Sequence, residues 1–352
     1  MYSKAAMALL LAFLLAFLVT AATTPLMGWV ATRYGFIDKP HPRRSAVLKP
    51  RLGGVALYLG FALALALTYF SLPDRTSEET ARVAGLVAGG FVVLVVGILD
   101  DKWSLPAAPQ LGAQLLAALL AIGGGIVLDR ITNPFGTGPV DSLLHFPLWL
   151  AVPFTLFWLA GAMNTINFLD GVDGLAAGVA AVAALVLALH SWILGQETIT
   201  LLPLALAGAC LGFLLFNFPP ARITMGTSGS VFLGFALGAL SVIGGTKGAT
   251  LLLVLGLPVV DTGWAILRRL AAGRSPFEGD RGHLHHRLLA VGLSERQIVL
   301  LMYGVTILLG ALALLLSTRL AKLLALGVVT VAASLLVGTL AYLGQRRLAT
   351  KG

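Results

Sequence analysis

The sequence predicts an all-α, polytopic integral membrane protein. Of its 352 residues, 58% are hydrophobic and only 11% are charged, whereas a typical soluble protein carries about a quarter charged residues. The 41 glycines are typical of closely packed membrane helices, in which small residues let backbones approach each other. The single cysteine, Cys210, excludes an intramolecular disulfide and a thiolate metal cluster. We expect one integral-membrane domain over residues 1–352.

Eleven apolar segments approach the roughly 20 residues that a membrane-spanning helix needs. They are 5–31, 53–70, 83–99, 110–128, 143–163, 174–194, 200–217, 229–243, 248–267, 297–316 and 323–343. The first is too long for the apolar core of a secretory signal peptide, and no clean cleavage site follows it. We therefore predict about eleven transmembrane helices.

The basic residues predict the orientation of the chain, because loops rich in Lys and Arg stay in the cytoplasm. With the N-terminus outside, the 24 Lys and Arg residues divide into 17 cytoplasmic and 7 external ones. The net charge of +9 is then explained by short loops beside anionic lipid headgroups. We expect no nucleic-acid partner, since the basic residues lack interleaved aromatics and a soluble domain.

Most acidic residues fall in the same loops, and two of them are adjacent. Asp100 and Asp101 end the third predicted span. Neighbouring carboxylates repel each other unless a cation or a basic group lies between them. The pair therefore indicates either a metal-facing site or a solvated helix end.

The loop after the fifth span combines oxygen ligands with turn residues. It runs from Asn164 to Gly174 and contains Asn167 and two Asp-Gly steps, at Asp170 and Asp173. Such carboxylate and amide oxygens suit a hard divalent cation. The loop also resembles part of an EF-hand, but the downstream Glu that such a loop needs is absent.

A further carboxylate, Asp261, lies inside the ninth span three residues after Pro258. A charge within a span costs about 2.5–3.5 kcal/mol on insertion scales, so a partner or a wet cavity must offset it. Asp261 either caps a helix break at Pro258 or faces the site.

A histidine-rich segment follows that span. It contains His283, His285, His286 and Arg287. Arginine forks suit phosphate oxygens, and the histidines could bind metal, transfer protons or contact a diphosphate. Zinc is disfavoured, because no cysteine can assist and the spacing is not that of an HExxH motif.

Several separated blocks, in this order, resemble the polyprenyl-phosphate N-acetylhexosamine-1-phosphate transferase family. They are Asp38 to Gly54, the Asp100-Asp101 pair, Asn164 to Gly174, Phe216-Asn217 with Met225 to Ser230, Pro258 to Asp261, and His283 to Arg287. The HLHHR form of the last block is similar to the branch that uses N-acetylglucosamine. The eleven spans and their orientation also look like that branch.

The resemblance implies roles for matching residues. Asp100 and Asp101 match a pair implicated in the metal and carrier-phosphate region and are candidate catalytic residues, with Asp100 as a possible base. Asp170 matches the first Asp-Gly aspartate of the catalytic centre. Substrate contacts are implied for Asp173 and Asn217 on uridine, for Arg51, and for His283, His285, His286 and Arg287 near the sugar and diphosphate. Metal contacts are implied for Asn167, Asp100, Asp170 and the position of Thr227.

Three positions depart from the family pattern. Thr227 stands where the family has an aspartate that ligates magnesium, and a neutral hydroxyl is a weaker ligand for a hard dication. Thr224 stands where an aromatic residue often stacks on uracil. The first loop is one residue shorter, with Ser45-Ala46 where a histidine is expected.

The resemblance implies transfer of N-acetylhexosamine 1-phosphate, with N-acetylglucosamine as the first candidate, from a UDP-sugar to undecaprenyl or another polyprenyl phosphate. UMP is released, and the reaction is the first membrane step of a cell-surface glycan.

Mg²⁺ is the expected cofactor, with Mn²⁺ as an alternative. We expect a multi-pass protein of the bacterial inner membrane with a cytoplasmic active site, compatible with a homodimer. A catalytically degenerate member that binds nucleotide-sugar or lipid is the alternative function, and a secondary transporter is the third.

Overall fold

A computed structural model describes residues 2–38, 48–68, 76–133, 143–245, 247–273, 283–316 and 318–349. The helices in it are α1 (Tyr2–Tyr34), α2 (Gly53–Thr68), α3 (Ser77–Trp103), α4 (Ala107–Gly123), α5 (Leu148–Leu169), α6 (Leu175–Ile193), α7 (Glu197–Asn217), α8 (Gly226–Ile243), α9 (Gly248–Val254), α10 (Gly256–Ala271), α11 (Leu284–Val291), α12 (Glu295–Leu315) and α13 (Arg319–Ala349). Two short antiparallel strands, β1 (Arg130–Thr132) and β2 (Leu143–His145), join α4 to α5. The prediction of an all-α polytopic membrane protein is confirmed.

Each of the eleven predicted segments overlaps a helix, but their number is not confirmed. Within the described ranges, seven helices are long and apolar enough to cross a membrane, or eight if α9 and α10 form one broken span. Three shorter apolar helices are Gly53–Thr68, Ala107–Gly123 and Leu320–Leu336. The count of eleven therefore stays a prediction.

Three predicted boundaries differ from the structure. The segment 110–128 is helical only to Gly123, where Gly124 and Gly125 turn the chain. The segment 143–163 begins as strand β2, and its helix starts at Leu148 after Pro147 and continues to Leu169, so the first part of the predicted loop from Asn164 is helical. The segment 248–267 is bent by 80° between α9 and α10.

Helix α8 forms the centre of the bundle. Almost every residue of α8 is buried, and α2, α3, α5 and α6 contact it. Glycines permit this packing, because a Cβ at Gly54 would overlap the backbone of Gly229 and one at Gly97 would overlap that of Ser228. The N-terminus of α8 is thereby held within backbone contact of α2 and α3.

Large apolar side chains are exposed on the outer helices, including Phe157 on α5, Leu215 on α7 and Leu308 on α12. An apolar surface of this kind suits a lipid environment. Three buried carboxylates, those of Asp100, Asp101 and Asp173, lie at the end of the bundle where α8 begins.

Candidate functional site

Loops that are far apart in sequence meet at this end. The segment after α1 pairs with itself at Ile37 and Pro50 and then with the α7–α8 loop at Arg51 and Thr224. Thr224 donates its backbone N–H to Pro50 O at 2.9 Å, and Gly53 N donates to Thr224 O at 3.1 Å. These backbone bonds fix the first loop against the start of α8. Residues 39–47 and 274–282, which belong to two of the predicted site loops, lie outside the described residues.

Asp101 anchors the N-terminus of α8. Its Oδ1 accepts from Thr227 N at 2.7 Å, and its Oδ2 accepts from Ser228 N at 3.2 Å and Ser228 Oγ at 2.7 Å. Backbone N–H groups at a helix start favour a carboxylate. Gly226 makes room for this contact, because its φ of 71° lies in the left-handed region and a Cβ there would overlap Asp101.

Arg51 lies among the carboxylates of the site. Its Nε is 2.9 Å from Asp101 Oδ1 and its Nη1 is 3.8 Å from Asp38 Oδ1. Burial lowers the pKa of Arg51, but Asp101, Asp38, Asp170 and Asp100 raise it, and the net change is upward. Arg51 is therefore a permanent cation at the centre of the acidic cluster.

Thr227 also faces this cation. Its Oγ1 accepts from Arg51 Nη2 at 3.3 Å. The hydroxyl at the position of the family's aspartate thus contacts the guanidinium of Arg51.

Asp100 closes the connection between α3 and α4. Its Oδ1 accepts from Leu105 N at 2.8 Å and from Gln110 Nε2 at 2.9 Å. Asp100 also lines a second, largely apolar cavity with Gly97, Gln114 and Thr227. The two adjacent aspartates therefore each have their own protein donors, which balances their mutual repulsion.

The end of α5 and the Asp-Gly loop that follows it contact the start of α8 and line a polar cavity. Asn167 Oδ1 accepts from Ser230 Oγ at 2.7 Å, which links the end of α5 to the first turn of α8. Asp170 is the C-cap of α5 and lines a polar cavity. The residues around that cavity are Asp38, Arg51, Asp170, Val172, Asp173, Asn217, Thr224 and Gly226.

Two predicted uridine contacts also hold loops together. Asp173 forms an ion pair with Lys49, and its Oδ2 accepts from Ala221 N at 3.0 Å. Asn217 accepts from Gly174 N at 3.0 Å through Oδ1 and donates to Ile223 O at 2.9 Å through Nδ2. Lys49 is not among the site residues that the sequence predicts, although it lies only two residues before Arg51.

The histidines lie on α11 against the Asp-Gly loop. The His283 ring stacks on Phe168 with centroids 5.2 Å apart, and it is parallel to the His285 ring at 5.9 Å. The His286 ring is 4.2 Å from that of His285. His285 occupies the space beside Gly171, where a Cβ would overlap its Nε2.

Two further predicted residues belong to this region. Arg287 follows His286 on α11 and donates its backbone N–H to His283 O at 3.2 Å. Asp261, on α10, contacts His283 directly, with 2.9 Å between Asp261 Oδ2 and His283 Nδ1.

The candidate metal ligands offer oxygen donors of the kind that a hard cation prefers, but together they carry little negative charge. Among the residues that the structure describes, no group of three or more His, Cys, Asp or Glu could hold a metal ion. Both hydrogen bonds to the Asp100 carboxylate go to Oδ1, and the amide oxygen of Asn167 is engaged by one hydroxyl. A carboxylate and an amide oxygen are acceptable magnesium ligands, so Asp100, Asn167 and Asp170 suit the cation by the chemistry of their donors, and their role as its ligands stays a prediction.

The fold and site define a polytopic α-helical membrane protein with a charged, oxygen-rich site at one end of its helices. The family described as glycosyl transferase family 4 matches residues 83–245. A probable undecaprenyl-phosphate N-acetylglucosaminyl 1-phosphate transferase of Bacillus subtilis is 36% identical over 303 residues, covering 84% of this chain and 81% of the relative. The chain belongs to this family of polyprenyl-phosphate N-acetylhexosamine phosphotransferases.

Two other relatives represent different branches. A decaprenyl-phosphate N-acetylglucosaminephosphotransferase of Mycolicibacterium smegmatis is 37% identical over 311 residues, 78% of this chain and 75% of the relative. A phospho-N-acetylmuramoyl-pentapeptide-transferase of Desulforudis audaxviator is 35% identical over 324 residues, 85% of this chain and 95% of the relative. The family resemblance seen in the motifs is confirmed.

Proposed function

We propose that this protein transfers N-acetylglucosamine 1-phosphate from a UDP-sugar to a polyprenyl phosphate. An oxygen of the lipid phosphate attacks the β-phosphorus of the donor, forming a new P–O bond. The bond from that phosphorus to the bridging oxygen breaks, and UMP leaves with the electron pair. The product is a polyprenyl diphosphate sugar, the first membrane intermediate of a cell-surface glycan.

The polar cavity around Asp170 is the observation that carries this proposal. It combines carboxylates with the permanent cation Arg51. Phosphoryl transfer requires little covalent chemistry from protein, so placing and neutralising the phosphates dominates. A cavity that mixes fixed positive charge with hard oxygen ligands suits a diphosphate.

We assign the donor to this cavity. Asp173 and Asn217 would bind the uridine, and donor binding would then compete with the ion pair between Asp173 and Lys49. Asp170 belongs to the reacting centre, and Arg51 balances phosphate charge. The histidines and Arg287 would contact the sugar and diphosphate.

We assign the carrier phosphate to the side of Asp100. Asp100 lines the neighbouring cavity, whose other walls include the apolar residues Val93, Val96 and Val231. The apolar lining suits the end of a lipid chain, and the Asp100 carboxylate would face the lipid phosphate either as a base or with a cation between the two negative charges. Asp100 is the candidate base for a carrier phosphate that arrives as a monoanion.

Magnesium belongs to the proposal, with Asp100, Asn167, Asp170 and the position of Thr227 as its ligands and Mn²⁺ as an alternative. When bound, a divalent cation neutralises the diphosphate and stabilises charge on the transferring group. The residues themselves set how strongly it binds, and Thr227 contributes no charge. We therefore expect weaker metal binding than in a variant with a carboxylate there.

The orientation of the site follows from the basic residues. We place the site in the cytoplasm and the N-terminus outside, in the inner membrane of a bacterium. Single cysteines at Leu48 and Phe218, in a Cys210→Ser background, should react with an impermeant thiol reagent only in inverted vesicles. Labelling of either site from outside the cell would reject this orientation.

Radiolabel transfer tests the function. Purified protein in detergent is incubated with undecaprenyl phosphate and a panel of labelled UDP-sugars, with magnesium or EDTA. We expect labelled lipid from UDP-N-acetylglucosamine and stoichiometric release of UMP. Binding of UDP-sugar without any transfer would favour the catalytically degenerate alternative.

A further inference from the structure

Asp261 is a buried carboxylate on α10, and the reaction as proposed above does not use it. It is 8% exposed and belongs to α10. Each of its two oxygens has a different partner at the start of α11. Oδ1 accepts from the backbone N–H of Leu284 at 2.9 Å, and Oδ2 lies 2.9 Å from His283 Nδ1.

We propose that Asp261 is a positioning residue, which fixes the tautomer of His283 and holds the histidine-bearing helix against the Asp-Gly loop. The role in transfer rests on the proposed function, whereas the state of the His283 ring does not. An ionised carboxylate only accepts hydrogen bonds. With Oδ2 as the acceptor, the Nδ1 atom of His283 carries the proton of this contact, and Nε2 is the ring nitrogen that Asp261 does not engage.

The ring that Asp261 orients lies beside the reacting centre. His283 stacks on Phe168, which follows Asn167 in the chain and precedes the Asp170 cap by two residues. The guanidinium of Arg269 lies 5.4 Å from the centre of the same Phe168 ring. Asp261 and Arg269 are eight residues apart on α10, which is about two turns. One helix thus contacts both α11 and the end of α5.

The hydrogen bond from Leu284 N to Asp261 Oδ1 also positions the other histidines, because it fixes the start of the helix that carries them. Leu284 is the first residue of α11, and a carboxylate at that N-terminus satisfies a backbone donor and favours the helix dipole. His285, on the first turn, fills the space over Gly171. Fixing the start of α11 therefore fixes where His285 meets the loop that carries Asp170.

Asp261→Asn separates helix capping from control of the tautomer. The amide oxygen of Asn can still accept from Leu284 N, while its NH₂ group faces His283 Nδ1. The contact persists only if Nδ1 becomes the acceptor and the proton moves to Nε2. We expect a melting temperature within about 3 °C of the wild type, since a loss of 1 kcal/mol lowers it by about 2–4 °C in proteins of about 150–250 residues and by less in a longer chain.

Turnover should nevertheless fall by about 100-fold in Asp261→Asn. This is less than the loss of about 10⁴-fold that a reversed tautomer causes in a Ser-His-Asp triad, because His283 is not itself the base that activates a nucleophile here. The KM for the UDP-sugar should change less than about threefold, because the loss lies in a group oriented for the transition state. Asp261→Ala removes the cap as well and should also melt earlier. Thr262→Ala, a buried neighbour on the same helix, is the matched control and should keep wild-type turnover.

Two measurements decide the assignment. In a double-mutant cycle, adding Asp261→Asn to His283→Ala should cause no further loss of turnover; independent, additive losses would overturn the proposal. Nitrogen-15 NMR of labelled histidines, with His283→Ala for assignment, should show the Nδ1–H form in the wild type and the Nε2–H form in Asp261→Asn.

Wild-type turnover in Asp261→Asn, or an Nε2–H ring in the wild type, would also overturn it. If the wild type transfers no sugar from any donor, the proposed function fails, and the NMR result still decides whether Asp261 fixes the ring.

Discussion

The candidate site has one side at the start of α8 and another at α11, and different kinds of contact hold each side in place. On the side of α8, backbone hydrogen bonds join Pro50, Gly53 and Thr224, and Asp101 binds two backbone N–H groups of α8. On the side of α11, the connection runs mainly through side chains, with Asp261 as the link and aromatic rings in contact. The contacts on the first side belong to the backbone framework of the fold. Those on the second side attach α11 to that framework through side chains. Substitutions on the first side should therefore reduce stability, and substitutions on the second should reduce turnover.

Asp170 lies between the two sides and should give the largest effect on activity. We expect Asp170→Asn to lower transfer by more than about 10³-fold, equivalent to about 4 kcal/mol of barrier, because the nearly isosteric amide removes the negative charge. Radiolabel transfer and thermal melting of the same preparation would measure it. A folded variant with near-normal turnover would remove Asp170 from the reacting centre.

Asp101→Ala should give the largest effect on stability. The change leaves two N–H groups at the start of α8 without their acceptor and removes the closest carboxylate from Arg51. We expect a loss of about 3 kcal/mol, seen as a lower melting temperature in detergent. Asp129→Ala, at an exposed ion pair with Arg130, is the control and should be nearly neutral. Equal melting of the two variants would contradict the structural role of Asp101.

Asp173→Ala tests whether a residue of the loop framework also binds the donor. We expect donor affinity to fall by about 10-fold to 100-fold, or about 1.4–2.7 kcal/mol, with a smaller change in turnover. Calorimetric titration of UDP-sugar into the protein measures affinity without requiring transfer. Unchanged affinity would reject the nucleotide role and leave only the contacts to Lys49 and Ala221.

Thr227→Asp should give the smallest effect, a decrease of about tenfold in the magnesium concentration for half-maximal activity, or about 1.4 kcal/mol. The added carboxylate supplies charge to the metal, but it also faces Arg51, which limits the gain. Thr227→Asn is the neutral control and should leave the midpoint where it is. The same midpoint in a well-folded Asp variant would mean that Thr227 does not occupy a ligand position.

The features that could be predicted from the sequence alone are those that depend on residues close together in the chain. The long apolar segments became helices, and the segment from Asn164 to Gly174 could be singled out because its ligands and turns are contiguous. The prediction that this whole segment is a loop was wrong, since Asn164 to Leu169 continue α5 and only Asp170 to Gly174 form the turn. The start of α5 was misplaced, since Leu143 and Leu144 are apolar in a strand as well as in a helix. Pro258 signalled a break, but an 80° bend depends on how the two helix pieces pack.

The pairings of the candidate site were beyond sequence reasoning, because they join distant positions. Ser228 is 127 residues from Asp101, and Lys49 is 124 residues from Asp173. Nothing local marks either pair, and Asp261 could be interpreted as a cap or a site residue. In the structure it caps α11 and contacts a site histidine, a combination that neither alternative described.

The burial of α8 has a consequence for how the enzyme tolerates its membrane. Its 18 residues measure about 27 Å at 1.5 Å per residue, a little short of a typical hydrocarbon core of about 30 Å. Helices that face lipid accommodate such a difference by tilting. Because α8 is enclosed by other helices, it has no bilayer thickness to match. We therefore expect the outer helices to accommodate changes in lipid composition by tilting, while the groups at the N-terminus of α8 keep their spacing.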